Sequence, residues 1–152
     1  MLILSRSTWP RRTAAVLALL VVAGCSSNDE PTAAEAGQTL NAHVNRLLKE
    51  INAQDIKITD PGGKDVPCGN GKIKRTFAAT GSDVASERNS YILRNTMLGA
   101  VDSIARYEIV GVPDGNKPIR VQDSSDKTIL VLDSPAKGIY VISGETSCLP
   151  AS

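Results

Sequence analysis

The side chains best equipped for chemistry are few. They are three cysteines, Cys25, Cys68 and Cys148, and one histidine, His43. His43 flanks the apolar stripe of a helix-like segment, which suits a boundary residue. Serines are plentiful, but no Gly-x-Ser-x-Gly turn presents one as a nucleophile. Gly69-Asn70-Gly71-Lys72 ends like a phosphate-binding loop, but Ile73 replaces the Ser/Thr that would hold magnesium and the first glycine is misplaced, so it reads as a turn. Asp55, Asp60 and Asp65 lack the calcium-loop spacing, and Asp60-Pro61-Gly62-Gly63 is explained by a turn. Arg88, Arg94 and Arg106 read as solvated or paired cations of a second helix. These residues give no catalytic constellation, metal site or cofactor site, and the expectation is a non-enzymatic protein.

Bulk composition narrows the class. The 152 residues suit one domain. There are 17 Lys+Arg and 16 Asp+Glu; removing residues 1–24 takes away Arg6, Arg11 and Arg12 and leaves 14 against 16. A nearly neutral, mixed surface offers no electrostatic funnel for nucleic acid. One Trp, three Tyr and one Phe make a poor stacking platform, and Trp9 falls in the first 24 residues.

The N-terminus carries three arginines, then the uncharged run Thr13–Ala23. Eleven residues are too few to span a bilayer, which needs about 20, but they suit a signal-peptide core. Leu20 to Cys25, ending Val22-Ala23-Gly24-Cys25, resembles the lipobox of bacterial lipoproteins. The resemblance implies cleavage between Gly24 and Cys25 and acyl chains on Cys25, hence a lipid anchor on the extracytoplasmic side of the cell membrane. Two or three chains hold durably where one is marginal, at about 0.8 kcal/mol per buried CH₂. Arg11-Arg12 raises twin-arginine export, but no bulky apolar pattern follows closely, so the general route is the default.

Residues 25–37 read as a lipidated, flexible tether; the twelve after Cys25 are small, polar and acidic and span roughly 20 Å. The rest, 38–152, reads as one α+β domain. Leu40, Val44, Leu47, Leu48 and Ile51 make one helical face over 38–53. Strands follow at 55–59 and 73–79, with a loop holding Cys68 between them. A second helix spans about 84–105, capped by Ser82 or Asp83, with Gly99 expected at a close packing contact. Four β-like runs at 106–112, 118–123, 128–133 and 138–143 complete the order α-β-β-α-β-β-β-β, and short connections demand antiparallel neighbours. The expected fold is two helices on one face of a mainly antiparallel sheet of about six strands. Residues 129–132 and 139–142 are continuously apolar. That pattern fits central strands covered on both faces, or an apolar surface facing a partner or lipid.

With Cys25 assigned to lipid, Cys68 and Cys148 remain in an oxidising compartment, and a disulfide between them is expected. A redox or metal role is the alternative, but there is no Cys-x-x-Cys and only one histidine. The arginine-rich start, lipobox, tether and Pro67-Cys68-Gly69 and Ser147-Cys148-Leu149-Pro150 contexts resemble small actinobacterial lipoproteins of unassigned activity. The resemblance implies location and general fold. The expected role is a membrane-anchored binding or accessory module contacting an envelope protein or ligand, with a small hydrophobic-ligand carrier or a minor hydrolase accessory as alternatives.

Overall fold

A computed structural model describes residues 30–151. Trp9, the expected cleavage site at Gly24 and the expected lipidation site Cys25 lie outside the described residues. The elements are α1 (Ala33–Glu50), β1 (Gln54–Asp60), β2 (Val66–Gly69), β3 (Lys72–Lys74), β4 (Thr76–Ser82), α2 (Ser90–Val101), β5 (Glu108–Ile109), β6 (Ile119–Asp123), β7 (Thr128–Asp133) and β8 (Ile139–Thr146). Six strands form one antiparallel sheet in the order β1-β4-β8-β7-β6-β5, and β2 and β3 form a separate hairpin. The expected α+β architecture, with both helices on one face of this sheet, is the one observed.

The alternation of each strand divides the sheet into two faces. Along β4, β7 and β8 the inward side chains are Phe77, Ala79, Leu130, Leu132, Tyr140 and Ile142. They join Leu40, Val44, Leu47 and Leu48 of α1 and Leu93, Met97 and Val101 of α2 in one core. The closest approach is at Gly144, on the inner row between Phe77 and Leu130. A Cβ there would lie 2.5 Å from Leu40 Cδ1 and 2.9 Å from Leu130 Cδ2. Gly99, expected at a packing contact, has open space around its Cα instead.

Helix boundaries correct the sequence reading in two places. Helix α1 begins at Ala33, so residues 33–37 of the expected tether belong to the folded domain. Thr32 caps the helix in a reciprocal box: Thr32 Oγ1 accepts from Glu35 N–H at 3.2 Å, and Thr32 N–H donates to Glu35 Oε2 at 2.9 Å. Helix α2 starts at Ser90, with Asn89 as its cap, rather than near Val84. Residues 83–89 bond elsewhere: Asp83 N–H donates to Gly138 O at 2.8 Å, and Gly138 N–H donates to Arg88 O at 3.1 Å. This segment is spent on the β7–β8 turn and cannot continue the helix.

The expected Cys68 loop is the β2–β3 hairpin, turning through Gly69, Asn70 and Gly71 at positive φ. The sulfurs of Cys68 and Cys148 are at disulfide-bonding distance, with Cα atoms 6.0 Å apart. Beside them, Ile73 and Leu149 exchange two backbone hydrogen bonds of 2.9 Å, and Ala33 N–H donates to Pro150 O. Ala33, Ala36, Leu149 and Ile73 form a second small core there. The pair thus ties the C-terminus to the hairpin and to the start of α1.

Two stability outcomes follow. Gly144→Ala should lower unfolding free energy by about 1–3 kcal/mol in urea titration, because the new methyl forces Leu40 or Leu130 to move. Closing a chain separation of 80 residues contributes roughly 4–5 kcal/mol at the upper end, so reduction should shift the urea midpoint down.

Candidate functional site

The outer face of the sheet is the surface that the helices leave open. Register places Thr76, Glu145, Ile129 and Gln122 in one cross-strand row, and Asp60, Ala78, Ser143, Val131 and Arg120 in the next. Val141, beside Thr80 and Asp133, begins a third. Ile129, Val131 and Val141 are half-buried. The continuously apolar runs at 129–132 and 139–142 therefore split by face. Leu130, Leu132, Tyr140 and Ile142 are buried under the helices, while Ile129, Val131, Ile139 and Val141 lie on the other side. Among the described residues no helix covers this second face, and its four aliphatic side chains are partly buried rather than exposed.

A shallow depression of about 320 Å³ lies on this face. Its floor is Ala78, Ile129, Val131 and Gly144, and its rim carries Asp60, Thr76, Arg120 and Glu145. The rim is organised by two carboxylates. Glu145 accepts from Lys74 Nζ at 2.6 Å and from Arg120 Nη2 at 3.1 Å. The Lys74 bond first, and Arg120 second, hold its carboxyl below its ordinary value of 4.5. Asp60 accepts from Thr76 Oγ1 at 2.5 Å and from Gly62 N–H at 2.9 Å, and these bonds hold it below 3.8. The result is an apolar strip between fixed polar groups of both signs, suited to holding a partner in one orientation.

The side chains singled out from sequence are dispersed. His43 Nδ1 is 2.9 Å from Tyr107 OH, which is 2.8 Å from Thr128 Oγ1. His43 Nε2 stands 3.7 Å from Asp126 Oδ2. Burial holds the imidazole below its ordinary 6.5, with Asp126 and Asp123 opposing; burial also pushes Tyr107 up to about 12. No serine hydroxyl is hydrogen-bonded to His43 among the described residues, and the chain His43–Tyr107–Thr128 joins α1 to the start of β7. Sequence placed His43 correctly at the edge of the apolar face but gave no sign of Tyr107.

Asp55 sits at a bulge of β1 with positive φ, Asp60 belongs to the outer face, and Asp65 accepts two bonds from Arg75. Of the three arginines assigned to helix two, only Arg94 is on it. Arg94 is buried, with Nη2 bonded to Gly115 O at 2.5 Å and Nη1 3.5 Å from Asp133 Oδ1. Arg88 lies in the preceding loop, bonded to buried Asp83, which also accepts from Tyr140 OH at 3.1 Å. Arg106 follows the helix and is exposed. Residues 69–72 form the hairpin turn. Among the described residues, no three His, Cys, Asp or Glu side chains gather closely enough to hold a metal ion, and no helix is long and apolar enough to cross a membrane.

Glu145, Arg120 and Lys74 are not visible as a group in the sequence. Their sequence separations of 25 and 71 residues leave no local signal. Compared with known proteins, the chain matches no family model, no curated protein and no solved structure.

The two titrations have distinct signs. Glu145 has a lowered folded pKa, so its contribution is full above about pH 4.5 and is lost as pH falls through the lower folded value. Glu145→Gln should flatten the acid limb of a stability–pH curve. His43 is also lowered, but as a base: stability is full above about pH 6.5 and falls as pH drops toward the folded value, because the unfolded chain takes up the proton first. Urea midpoints measured between about pH 5 and 8 should lose this slope in His43→Gln.

Proposed function

We propose that this protein is a lipid-anchored, extracytoplasmic lipoprotein of the cell envelope, acting as a non-enzymatic binding module through the outer face of its sheet. The observation that carries the reading is the one-sided sheet. Both helices lie on one face, and the opposite face keeps Ile129, Val131 and Val141 only partly buried between fixed charges. A surface of this kind, an apolar strip with a polar rim, matches the anatomy of protein interfaces. The space between helices and sheet is filled by Leu40, Leu47, Met97, Leu130 and Tyr140, and the depressions of about 180 to 380 Å³ open to solvent. This favours a surface over the enclosed chamber that a hydrophobic-ligand carrier would use. The anchor part of the reading is carried by Val22-Ala23-Gly24-Cys25 and the apolar run before it.

Each part has its own test. Cys25→Ala should move the protein from the membrane to the soluble fraction, and wild-type mature protein should start at an acylated Cys25 by mass spectrometry. An unmodified, membrane-free wild-type protein would refute the anchor. A photo-crosslinker at Val131 should trap a discrete envelope partner, whereas one at Asn45, exposed on the far side of α1, should not. Equal trapping from both positions would refute the outer face as the binding surface.

A further inference from the structure

The helix cap fixes how far the domain can stand from residue 25. Glu30 already has a defined place, its carboxylate 4.0 Å from both Lys72 Nζ and Lys127 Nζ. Five residue steps separate Cys25 from Glu30, so their Cα atoms are at most about 17 Å apart. A domain of this size has a radius of gyration of about 14 Å and hence a breadth of roughly 35 Å, about twice that reach. The following inference rests on the proposed acylation of Cys25. With the acyl chains there, the end of the domain that bears Glu30 is the end held at the headgroups.

That end is chemically distinct. It contains the start of α1, the C-terminal segment and the β2–β3 hairpin, joined by Ala33 N–H to Pro150 O and by the Ile73–Leu149 pair. Residues 61–75 carry Lys64, Lys72, Lys74 and Arg75; Arg75 is paired with Asp65 and Lys74 with Glu145, which leaves Lys64 and Lys72 for the surface. Glu30 is one carboxylate facing two ammonium groups, and Lys64 is exposed. Beyond the other ends of the strands lie the apolar side chains Val84 and Val112, 64% and 94% exposed, and the exposed lysines Lys117 and Lys137, each beside a carboxylate, Asp114 and Glu87.

We propose that the β2–β3 hairpin, with Lys64, Lys72 and Lys127, is the domain's membrane-facing surface and rests on anionic phospholipid headgroups. Lysines attract an anionic leaflet only within about a Debye length, roughly 8 Å at physiological salt, and the short connection holds them in that zone. Anchoring makes each contact intramolecular, so a few lysines suffice where a free protein would need many.

The test uses the full acylated chain on vesicles of phosphatidylcholine, with or without phosphatidylglycerol. Bound protein is labelled with a water-soluble amine-acetylating reagent and read by mass spectrometry. On phosphatidylglycerol vesicles, Lys64, Lys72 and Lys127 should label several-fold more slowly than in soluble Cys25→Ala protein. Lys117 and Lys137 should label at unchanged rates, and high salt should restore labelling of the first three. A chain that floats with these vesicles but labels alike at both ends overturns the orientation alone. A chain that fails to float overturns the anchor and the orientation together.

Discussion

Two helices cover one side of a six-stranded antiparallel sheet, and most features of the molecule depend on that constraint. An amphipathic helix must bury its stripe, and a sheet offers two faces to bury it on. Here α1 and α2 share the same one, meeting over Leu130, Leu132, Tyr140 and Ile142. The approach is close enough that β8 needs a glycine under Leu40. Stability is concentrated on the inner face. The outer face is left free to carry side chains chosen for other reasons, and there Glu145 is held between Lys74 and Arg120.

The polar groups inside the structure divide by role. Asp83 with Arg88 and Tyr140, and Arg94 with Gly115 and Asp133, lock loops to the ends of strands. Each buried charge there has a partner, as the desolvation penalty requires. Among the described residues, no buried side-chain nitrogen or oxygen lacks a hydrogen-bond partner. These networks explain their residues without invoking chemistry. The Lys74–Glu145–Arg120 group differs because it stands on an open surface beside partly buried aliphatic side chains.

Much of the fold is legible in the sequence because its signals are local. The 3.6-residue spacing of Leu40, Val44, Leu47, Leu48 and Ile51 marks α1, and turn residues separate β6, β7 and β8. Boundaries depend on less local information. Thr32-Ala33-Ala34-Glu35 spells a capping box, a signal present in the sequence but outweighed by the tether-like composition around it. The late start of α2 reflects bonds to Gly138, some fifty residues away in sequence, which no local pattern reveals. The pairing of Cys68 with Cys148 could be reasoned by elimination, whereas the outer-face charge group depends on strand register and becomes visible only once β4, β8, β7 and β6 are aligned.

The outer face of the sheet is the proposed working surface. Hydroxyl-radical footprinting of the protein in intact envelopes, compared with the purified soluble domain, tests this most directly. Binding through this face should reduce oxidation of Ile129, Val131 and Val141 in the envelope, with exposed Val112 and Tyr91 oxidised alike in both preparations. Equal oxidation of the three outer-face residues in envelope and solution would contradict it.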